Sequence, residues 1–208
     1  MTDLQTGLVF LLAALAMAIT PGPGIFYVAA RTLAGGRSVG LASSLGTGVG
    51  GFVHVIAGAV GVSALVMASA QAFTLLKIAG AFYLIWLGFS TWREAGRFDS
   101  SKVERVGVRL AFREGILVEA LNPKTAAFFL AFIPQFVDPN YGVAGQFVLL
   151  GMISVVLNTA ADVVVTYFAA KAASGLAERP SLMIKLRKGS AAIMGGLGLS
   201  LLLARRGA

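Results

Sequence analysis

Cysteine is absent from the 208 residues of this chain, and charged residues make up only 12% of them. The lack of cysteine excludes disulfides, thiol redox chemistry and thiolate metal sites. Soluble domains carry about 25% charged and about 45–50% apolar residues. With 57% hydrophobic residues and half the usual charge, the sequence does not have the composition of a soluble domain. Its long apolar runs instead match membrane-spanning helices, each of which needs about 20 mostly apolar residues.

Motifs of nucleotide and metal sites are also missing. No phosphate-binding G-x-x-x-x-G-K-[ST] loop occurs, so the chain does not use ATP as its own energy source. The one histidine, His54, has no cysteine or second histidine partner, which argues against a zinc site. We therefore predict a protein that is not an enzyme and that needs no cofactor or metal.

Apolar stretches are what the sequence has in abundance, and they predict an all-α membrane protein of one domain over residues 1–208. The first stretch has the small residues of a signal cleavage site at Ala16-Met17-Ala18, but it is preceded by Asp3 and by no Lys or Arg. We expect it to be a retained span. The predicted spans cover about residues 6–30, 39–68, 71–92, 112–136, 145–169 and 186–204.

The net charge of +8 comes from 17 Lys and Arg against 9 Asp and Glu. A basic chain can bind nucleic acid, but these residues cluster in connections 31–38, 93–111 and 170–185. Such clustering follows the positive-inside rule, so we expect a lipid bilayer, not a nucleic acid, as the partner. The three connections are then cytoplasmic and both termini lie outside. Arg205 and Arg206 near the C-terminus oppose this orientation but are outnumbered.

Proline interrupts the first and the fourth predicted spans. Pro21 and Pro23 lie in the first, and Pro123 follows Asn122 in the fourth; Pro21 and Pro123 are 102 residues apart (123 − 21), about half the chain. Three spans per half predict two inverted repeats, about 1–98 and 105–204, with broken helices at matching positions. Such a pair indicates a transport site near the middle of the membrane. The alternative is a pair of simple kinks, which proline often causes in membrane helices.

Broken helices leave backbone groups without partners, which in a membrane must face protein or a wet cavity. The N–H groups that follow a break attract a carboxylate, and the carbonyls that precede it attract an ammonium group. We therefore predict that the substrate binds at the two interruptions, formed by Pro21, Gly22, Pro23 and Gly24 and by Asn122, Pro123 and Lys124.

Ionisable side chains within the spans are the next signal, because such residues commonly mark transport pathways. Ser154, Asn158, Asp162 and Thr166 recur every four residues and so share one helix face. Asn158 and Asp162 are predicted to bind substrate, and Asp162 to carry a proton. The alternative for Asp162 is a structural ion pair or an interhelical hydrogen bond. Glu119 has a similar predicted depth, so the two carboxylates could share a proton.

Two interpretations are open for Lys124, and two for His54. Lys124 takes the substrate carboxylate, or it neutralises Glu119 or Asp162. His54 shares a helix face with Ala42, Gly46, Gly50 and Gly58, a stripe that allows close helix packing. It is either a proton relay or a packing residue. The glycine stripes also permit a homodimer.

Three segments together resemble the lysine exporter (LysE) superfamily, in particular its homoserine/threonine exporter branch. They are Thr20-Pro-Gly-Pro-Gly24, the glycine-rich second span through Gly46 and Gly50, and Asn122-Pro-Lys124 followed by Phe128-Phe-Leu-Ala-Phe-Ile-Pro-Gln-Phe136. The resemblance covers nearly the whole chain. It implies a bacterial inner-membrane exporter of amino acids or close derivatives, driven by the proton gradient, with a six-span fold of two inverted halves. Branches that move electrons need paired cysteines, which this chain lacks.

These observations lead to the hypothesis of a secondary exporter of small amino acids by proton antiport and alternating access. The substrate carboxylate binds after Pro21–Gly24, and its ammonium binds Asp162, Asn158 or carbonyls near the second break. Asp162, Glu119 or His54 carries the proton. Two alternatives are an uncoupled channel or facilitator and a membrane accessory subunit that transports nothing.

Overall fold

The computed structural model of the chain describes residues 4–68, 70–93, 106–171 and 180–203, and all regular structure in these ranges is helical. The all-α prediction is thus confirmed for the described residues. The α-helices in these ranges are α1 (Leu4–Ile19), α2 (Pro23–Ala68), α3 (Ala70–Arg93), α4 (Val108–Ala120), α5 (Pro123–Ala127), α6 (Val143–Lys171) and α7 (Pro180–Leu203).

Three stretches of the described residues are long and apolar enough to cross a membrane: Pro23–Gly61, Val108–Phe136 and Val143–Lys171. Leu4–Ile19 and Ile78–Ser90 are shorter apolar helices. The outer surface carries large apolar side chains, such as Leu12, Val60 and Phe168, that are 68%, 69% and 70% exposed. A surface of this kind suits contact with lipid and not with water.

The predicted connection 31–38 is shorter than expected, because helix continues on both sides of a single turn at Gly36. Gly36 has φ +79° and ψ −173°, a conformation that favours glycine. The chain reverses there, so that Thr32 of the segment before the turn contacts Gly40 of the segment after it. The Gly35-Gly36 pair is the signal for this turn, since glycine often ends a helix in a left-handed conformation.

Close helix contacts organise the bundle. The part of α2 that follows Gly36 packs along α4 and α6, and α3 packs along α7. A Cβ atom at Gly50 would lie 2.5 Å from the carbonyl oxygen of Ile116, and one at Gly115 would lie 2.7 Å from that of Ser43. The backbones of α2 and α4 are therefore in direct contact, which confirms the prediction that the glycine stripe allows close packing.

Beyond α5 the helix changes its geometry twice. Residues Phe128–Phe132 form a π-helical turn, and Ile133–Phe136 form a 3₁₀ turn. These turns direct several aromatic rings into the core, where they meet Phe10 of α1 and Phe147 of α6. Sequence predictions that concern residues 1–3, 69, 94–105, 172–179 and 204–208, including parts of two basic connections, lie outside the described residues.

Candidate functional site

Helical structure is interrupted at both proline-containing segments. Residues 20–22 separate α1 from α2, and residues 121–122 separate α4 from α5. Asn122 caps the start of α5, its Oδ1 accepting a hydrogen bond from the backbone N–H of Lys124 at 3.1 Å. Pro123 occupies the first helical position, where its missing N–H would have no helical partner.

Lys124 joins the second interruption to the first. Its buried ammonium group donates to the carbonyl oxygen of Thr20 at 2.8 Å and to that of Met17 at 3.1 Å. These carbonyls end α1 and carry partial negative charge, so a cation is stabilising there. The stem of Lys124 passes over Gly22, where a Cβ would lie 2.9 Å from Lys124 Cδ. A glycine at this point thus lets the two interruptions come into contact.

Both carboxylate oxygens of Glu119 are occupied by neighbours from its own segment. Oε2 accepts a hydrogen bond from Asn122 Nδ2 at 2.8 Å, and Oε1 accepts one from the Thr125 hydroxyl at 2.6 Å. The side chain is buried and faces Gly24, where a Cβ would lie 2.8 Å from Oε2. Glu119 is therefore held by two hydrogen-bond donors.

Asp162 is only half satisfied, although it is just 5% exposed. Its Oδ2 lies 2.7 Å from the Thr47 hydroxyl, and that hydroxyl also lies 2.8 Å from the carbonyl oxygen of Ser44. The single proton of Thr47 cannot fully satisfy two acceptors. Oδ1 accepts no hydrogen bond from the residues that the structure describes. A buried carboxylate oxygen without a partner is unfavourable unless a ligand, a water or a proton completes it.

A cavity of about 20 Å³ lies between these groups. It is large enough for about one water molecule. Asn158 also faces it, and its amide makes no hydrogen bond with the described part of the chain. The lining residues are Gly24, Ile25, Thr47, Gly48, Gly51, Glu119, Asn122, Lys124, Thr125, Phe129, Val155, Asn158, Thr159 and Asp162.

The structure brings most of the predicted site residues together at this cavity, and leaves others beside it. His54 is not among the lining residues; it is buried, and its Nε2 lies 2.7 Å from the carbonyl oxygen of Glu119. Pro21, Gly22, Pro23 and Pro123 shape the interruptions without lining the cavity. The predicted residues that do line it are Gly24, Glu119, Asn122, Lys124, Asn158 and Asp162.

Three threonines at the site were not predicted: Thr47, Thr125 and Thr159. Their signal in the sequence is weak, because a threonine in an apolar helix commonly bonds a carbonyl of its own helix. Thr159 does so, donating to the carbonyl oxygen of Val155 at 2.9 Å. Thr47 lies within hydrogen-bond distance of both Ser44 of its own helix and the carboxylate of Asp162, and Thr125 donates to Glu119. Thr125 and Thr159 lie within six residues of Glu119 and Asp162, but nothing near Thr47 in the sequence indicates its contact with Asp162.

Chemically, the cavity combines two carboxylates, one ammonium group and an unpaired amide. No group of three or more metal-ligating side chains occurs among the described residues. An ammonium ion or a proton would complete Asp162. Gly24 and Ile25 line the same space in the first turn of α2, where backbone N–H groups lack helical partners and carry partial positive charge.

Comparison with known proteins matches this chain to one protein family. Residues 15–205 match the family model of the LysE type translocator. No solved structure matches the chain at a significant level.

Individual relatives align over most of the chain. A membrane protein of Vibrio cholerae is 32% identical over 205 residues, which cover 98% of this chain and 99% of that protein. The homoserine/homoserine lactone efflux protein of Salmonella typhimurium is 33% identical over 177 residues, covering 85% of this chain and 82% of that protein. The protein of the same name from Salmonella typhi is 33% identical over 150 residues, covering 72% and 73%.

Proposed function

This chain belongs to the LysE type translocator family, whose members are membrane transporters and not enzymes, and from that premise we propose that it exports small amino acids or close derivatives. The proposed protein is a bacterial inner-membrane antiporter that exchanges substrate for protons by alternating access. Its six spans form two inverted repeats, with the first and fourth spans broken at the prolines. Homoserine and its lactone, named for the Salmonella relatives, are the first substrates to test.

The observation that carries this proposal is the unpaired, buried Oδ1 of Asp162 at a cavity where the two interruptions meet. Lys124 already binds the carbonyl ends of α1, and Glu119 already accepts two hydrogen bonds. Asp162 is therefore the charged group in the cavity that is available to a substrate. Buried ionisable groups within membrane spans commonly serve transport, because they are too unfavourable to keep otherwise.

In the proposed complex, the substrate ammonium binds Asp162 Oδ1 and the side-chain oxygen of Asn158. The carboxylate, or the carbonyl of a lactone, binds the N–H groups of Gly24 and Ile25 and the remaining hydrogen of the Lys124 ammonium. A cavity of about 20 Å³ is too small for an amino acid. Substrate entry thus requires the surrounding helices to separate on one side of the membrane at a time.

Coupling to protons follows from the balance of charge in the cavity. Glu119 and Asp162 carry two negative charges, and Lys124 supplies one positive charge. One further positive charge, from a proton or from the substrate ammonium, neutralises the site. Because both bind Asp162, they compete for it, and this competition is what antiport requires.

Thr47 supports Asp162 as the proton carrier. When Asp162 is protonated, its O–H donates to the Thr47 hydroxyl, which then donates to the carbonyl oxygen of Ser44. Each group in this chain has one partner, which resolves the conflict between the two acceptors at 2.7 and 2.8 Å from Thr47. When Asp162 is ionised, the Thr47 proton turns toward it.

The test is efflux from proteoliposomes that contain the purified protein, with an imposed pH gradient and labelled homoserine. We expect Asp162→Asn to lower proton-driven efflux about tenfold or more, since a hydrogen bond to a charged group contributes about 1.5–3 kcal/mol. Asp138→Asn is the matched control. Its carboxylate lies in the connection before α6 and accepts from the Asn140 backbone N–H at 2.9 Å, so the same change there leaves efflux unaffected.

Other outcomes separate the alternatives. Full, proton-driven efflux by Asp162→Asn removes Asp162 from the mechanism. Flux through the unaltered protein that ignores the pH gradient identifies an uncoupled facilitator. A purified protein that moves neither amino acids nor their lactones is an accessory subunit.

A further inference from the structure

A second polar cluster, separate from the cavity, ties α2 to α4. Arg31 Nη2 lies 2.6 Å from Glu114 Oε2, forming an ion pair. The Tyr27 hydroxyl donates to the carbonyl oxygen of Ala111 at 2.7 Å and lies 3.2 Å from Glu114 Oε2. The Arg31 guanidinium also lies 5.5 Å from the centre of the Tyr27 ring. These hydrogen bonds to Glu114 and Ala111 join the first segment of α2, which precedes Gly36, to α4.

The cluster lies on one defined side of the cavity. Gly24 lines the cavity, and Arg31 is seven residues further along the same helix, or about 10 Å at 1.5 Å per residue. Glu119 lines the cavity on α4, and Glu114 is five residues before it, about 7.5 Å away. Both helices therefore extend from the cavity toward the turn at Gly36. We call this side the gate face; the distribution of Lys and Arg predicts that it is cytoplasmic.

Two kinds of contact hold α4 to α2 on this face. The second segment of α2 lies directly against the backbone of α4 at Gly46 and Gly50. The first segment meets α4 through the polar side chains of Tyr27, Arg31 and Glu114. The side chains of Arg31 and Glu114 are 14% and 31% exposed, so water reaches the ion pair. Partly exposed polar contacts can be exchanged for water with little loss of free energy, whereas close backbone packing cannot.

We propose that Tyr27, Arg31 and Glu114 form a gate that controls entry to the cavity from the gate face. This proposal rests on the proposed transport function. In the closed state the three side chains hold the first segment of α2 against α4. Breaking their contacts lets that segment move away, while the second segment and α4 stay together, and the space beside Gly24 and Ile25 opens to solvent.

The absence of cysteine makes a direct test available, because one introduced thiol is then the only one in the protein. Thr159→Cys places the thiol at the cavity with little change in size. The measurement is the rate at which a membrane-impermeant maleimide labels this thiol in inverted and in right-side-out vesicles. We expect Glu114→Gln to raise the rate from the gate face about fivefold, through loss of the ion pair, and to leave the rate from the opposite face unchanged.

Four further variants keep the test specific. Arg113→Gln removes an exposed charge next to Glu114 and should leave labelling unchanged. Arg31→Glu and Glu114→Arg should each raise labelling from the gate face, and their combination should return it toward the original rate, since the pair then forms with its charges exchanged. Restored labelling in the combined variant also shows that the single changes did not simply unfold the protein.

Labelling does not depend on transport, so the two proposals can fail separately. Unchanged labelling in Glu114→Gln and in both reversed variants, in a protein that exports homoserine, overturns the gate and leaves the export function intact. Increased labelling that the combined variant reverses supports the gate even if the purified protein exports nothing, in which case it is the proposed function that is wrong.

Discussion

The two sides of the cavity are closed by layers of opposite character. On the gate face, Tyr27, Arg31 and Glu114 join α2 to α4 through polar contacts that are partly exposed. On the other side, α5 and the turns after it lead into a layer of phenylalanines, which we call the aromatic layer. It consists of Phe10, Phe128, Phe129, Phe132, Phe136 and Phe147, with ring centres 5.1 to 6.3 Å apart.

These layers differ in what their opening requires. A partly exposed ion pair contributes about 0–1 kcal/mol, since water replaces each partner. A buried phenylalanine contributes about 3–5 kcal/mol, and no solvent molecule fills the space that it leaves. The cavity should therefore open more readily toward the gate face. If that face is cytoplasmic, the resting exporter is poised to take substrate from the cytoplasm, and binding must supply the free energy that separates the aromatic layer.

The largest effect should come from the centre of the aromatic layer. Phe128 is 1% exposed and stacks on Phe132 at 5.1 Å between ring centres. We expect Phe128→Ala to lower the free energy of unfolding in a detergent titration by about 3 kcal/mol, through the cavity that it creates. It should also raise maleimide labelling of Thr159→Cys from the face opposite the gate.

Phe168→Ala is the control for that change, because Phe168 lies on α6 and is 70% exposed. Its loss should alter the free energy of unfolding by less than about 0.5 kcal/mol, as for surface substitutions in general. Equal losses in the two variants would mean that the aromatic layer is no more tightly packed than the lipid-facing surface, and the contrast between the two sides of the cavity would disappear.

A smaller effect should come from the close packing of the second segment of α2 against α4. A methyl group at Gly50 would lie 2.5 Å from the carbonyl oxygen of Ile116, and backbone cannot move aside as a side chain can. We expect Gly50→Ala to lower the free energy of unfolding by about 1–3 kcal/mol in the same titration.

Gly61→Ala makes the same substitution in the same helix, at a position where no atom of the described residues lies within 4 Å of the added Cβ. It should be neutral or slightly stabilising, because alanine favours helix over glycine by up to about 1 kcal/mol. If both variants are neutral, α2 and α4 can separate, and the gate is not the only movable contact between them.

Much of the site could be predicted because polar residues are rare in apolar spans. The two proline segments, Glu119, Lys124 and Asp162 all stand out from their neighbours. The structure places the three charged side chains at one cavity, with Gly24 and Asn122 of the proline segments. Their partners were harder to find. The sequence indicated a substrate carboxylate or an acid as the partner of Lys124, and these roles stay predictions. Nothing in the sequence indicated that Lys124 also binds carbonyls at the end of α1, because which freed carbonyls face it depends on how the helices cross.

The fold was predictable to a similar degree. The all-helical class follows from composition, and the glycine stripe of α2 does make close contact with α4. A connection at residues 31–38 was predicted, but its charged residues resemble a longer loop than the single turn at Gly36, because Arg31 is part of the helix and pairs with Glu114 of α4. The π-helical turn at Phe128–Phe132 has no local signal, since it depends on how the rings pack against α1 and α6.

The smallest expected effect on labelling comes from Tyr27→Phe, which separates the contribution of the Tyr27 hydroxyl from that of the Arg31–Glu114 ion pair. Tyr27→Phe removes one hydroxyl, which donates to the carbonyl oxygen of Ala111, and keeps the ring beneath the Arg31 guanidinium. The ion pair with Glu114 stays intact. Because a neutral hydrogen bond contributes about 1 kcal/mol or less, labelling of Thr159→Cys from the gate face should rise about threefold, less than in Glu114→Gln.

Tyr167→Phe is the control, since it alters a half-exposed tyrosine beside Arg37, and it should not change the labelling rate. A larger rise in Tyr27→Phe than in Glu114→Gln would show that the hydroxyl, and not the ion pair, holds the gate closed.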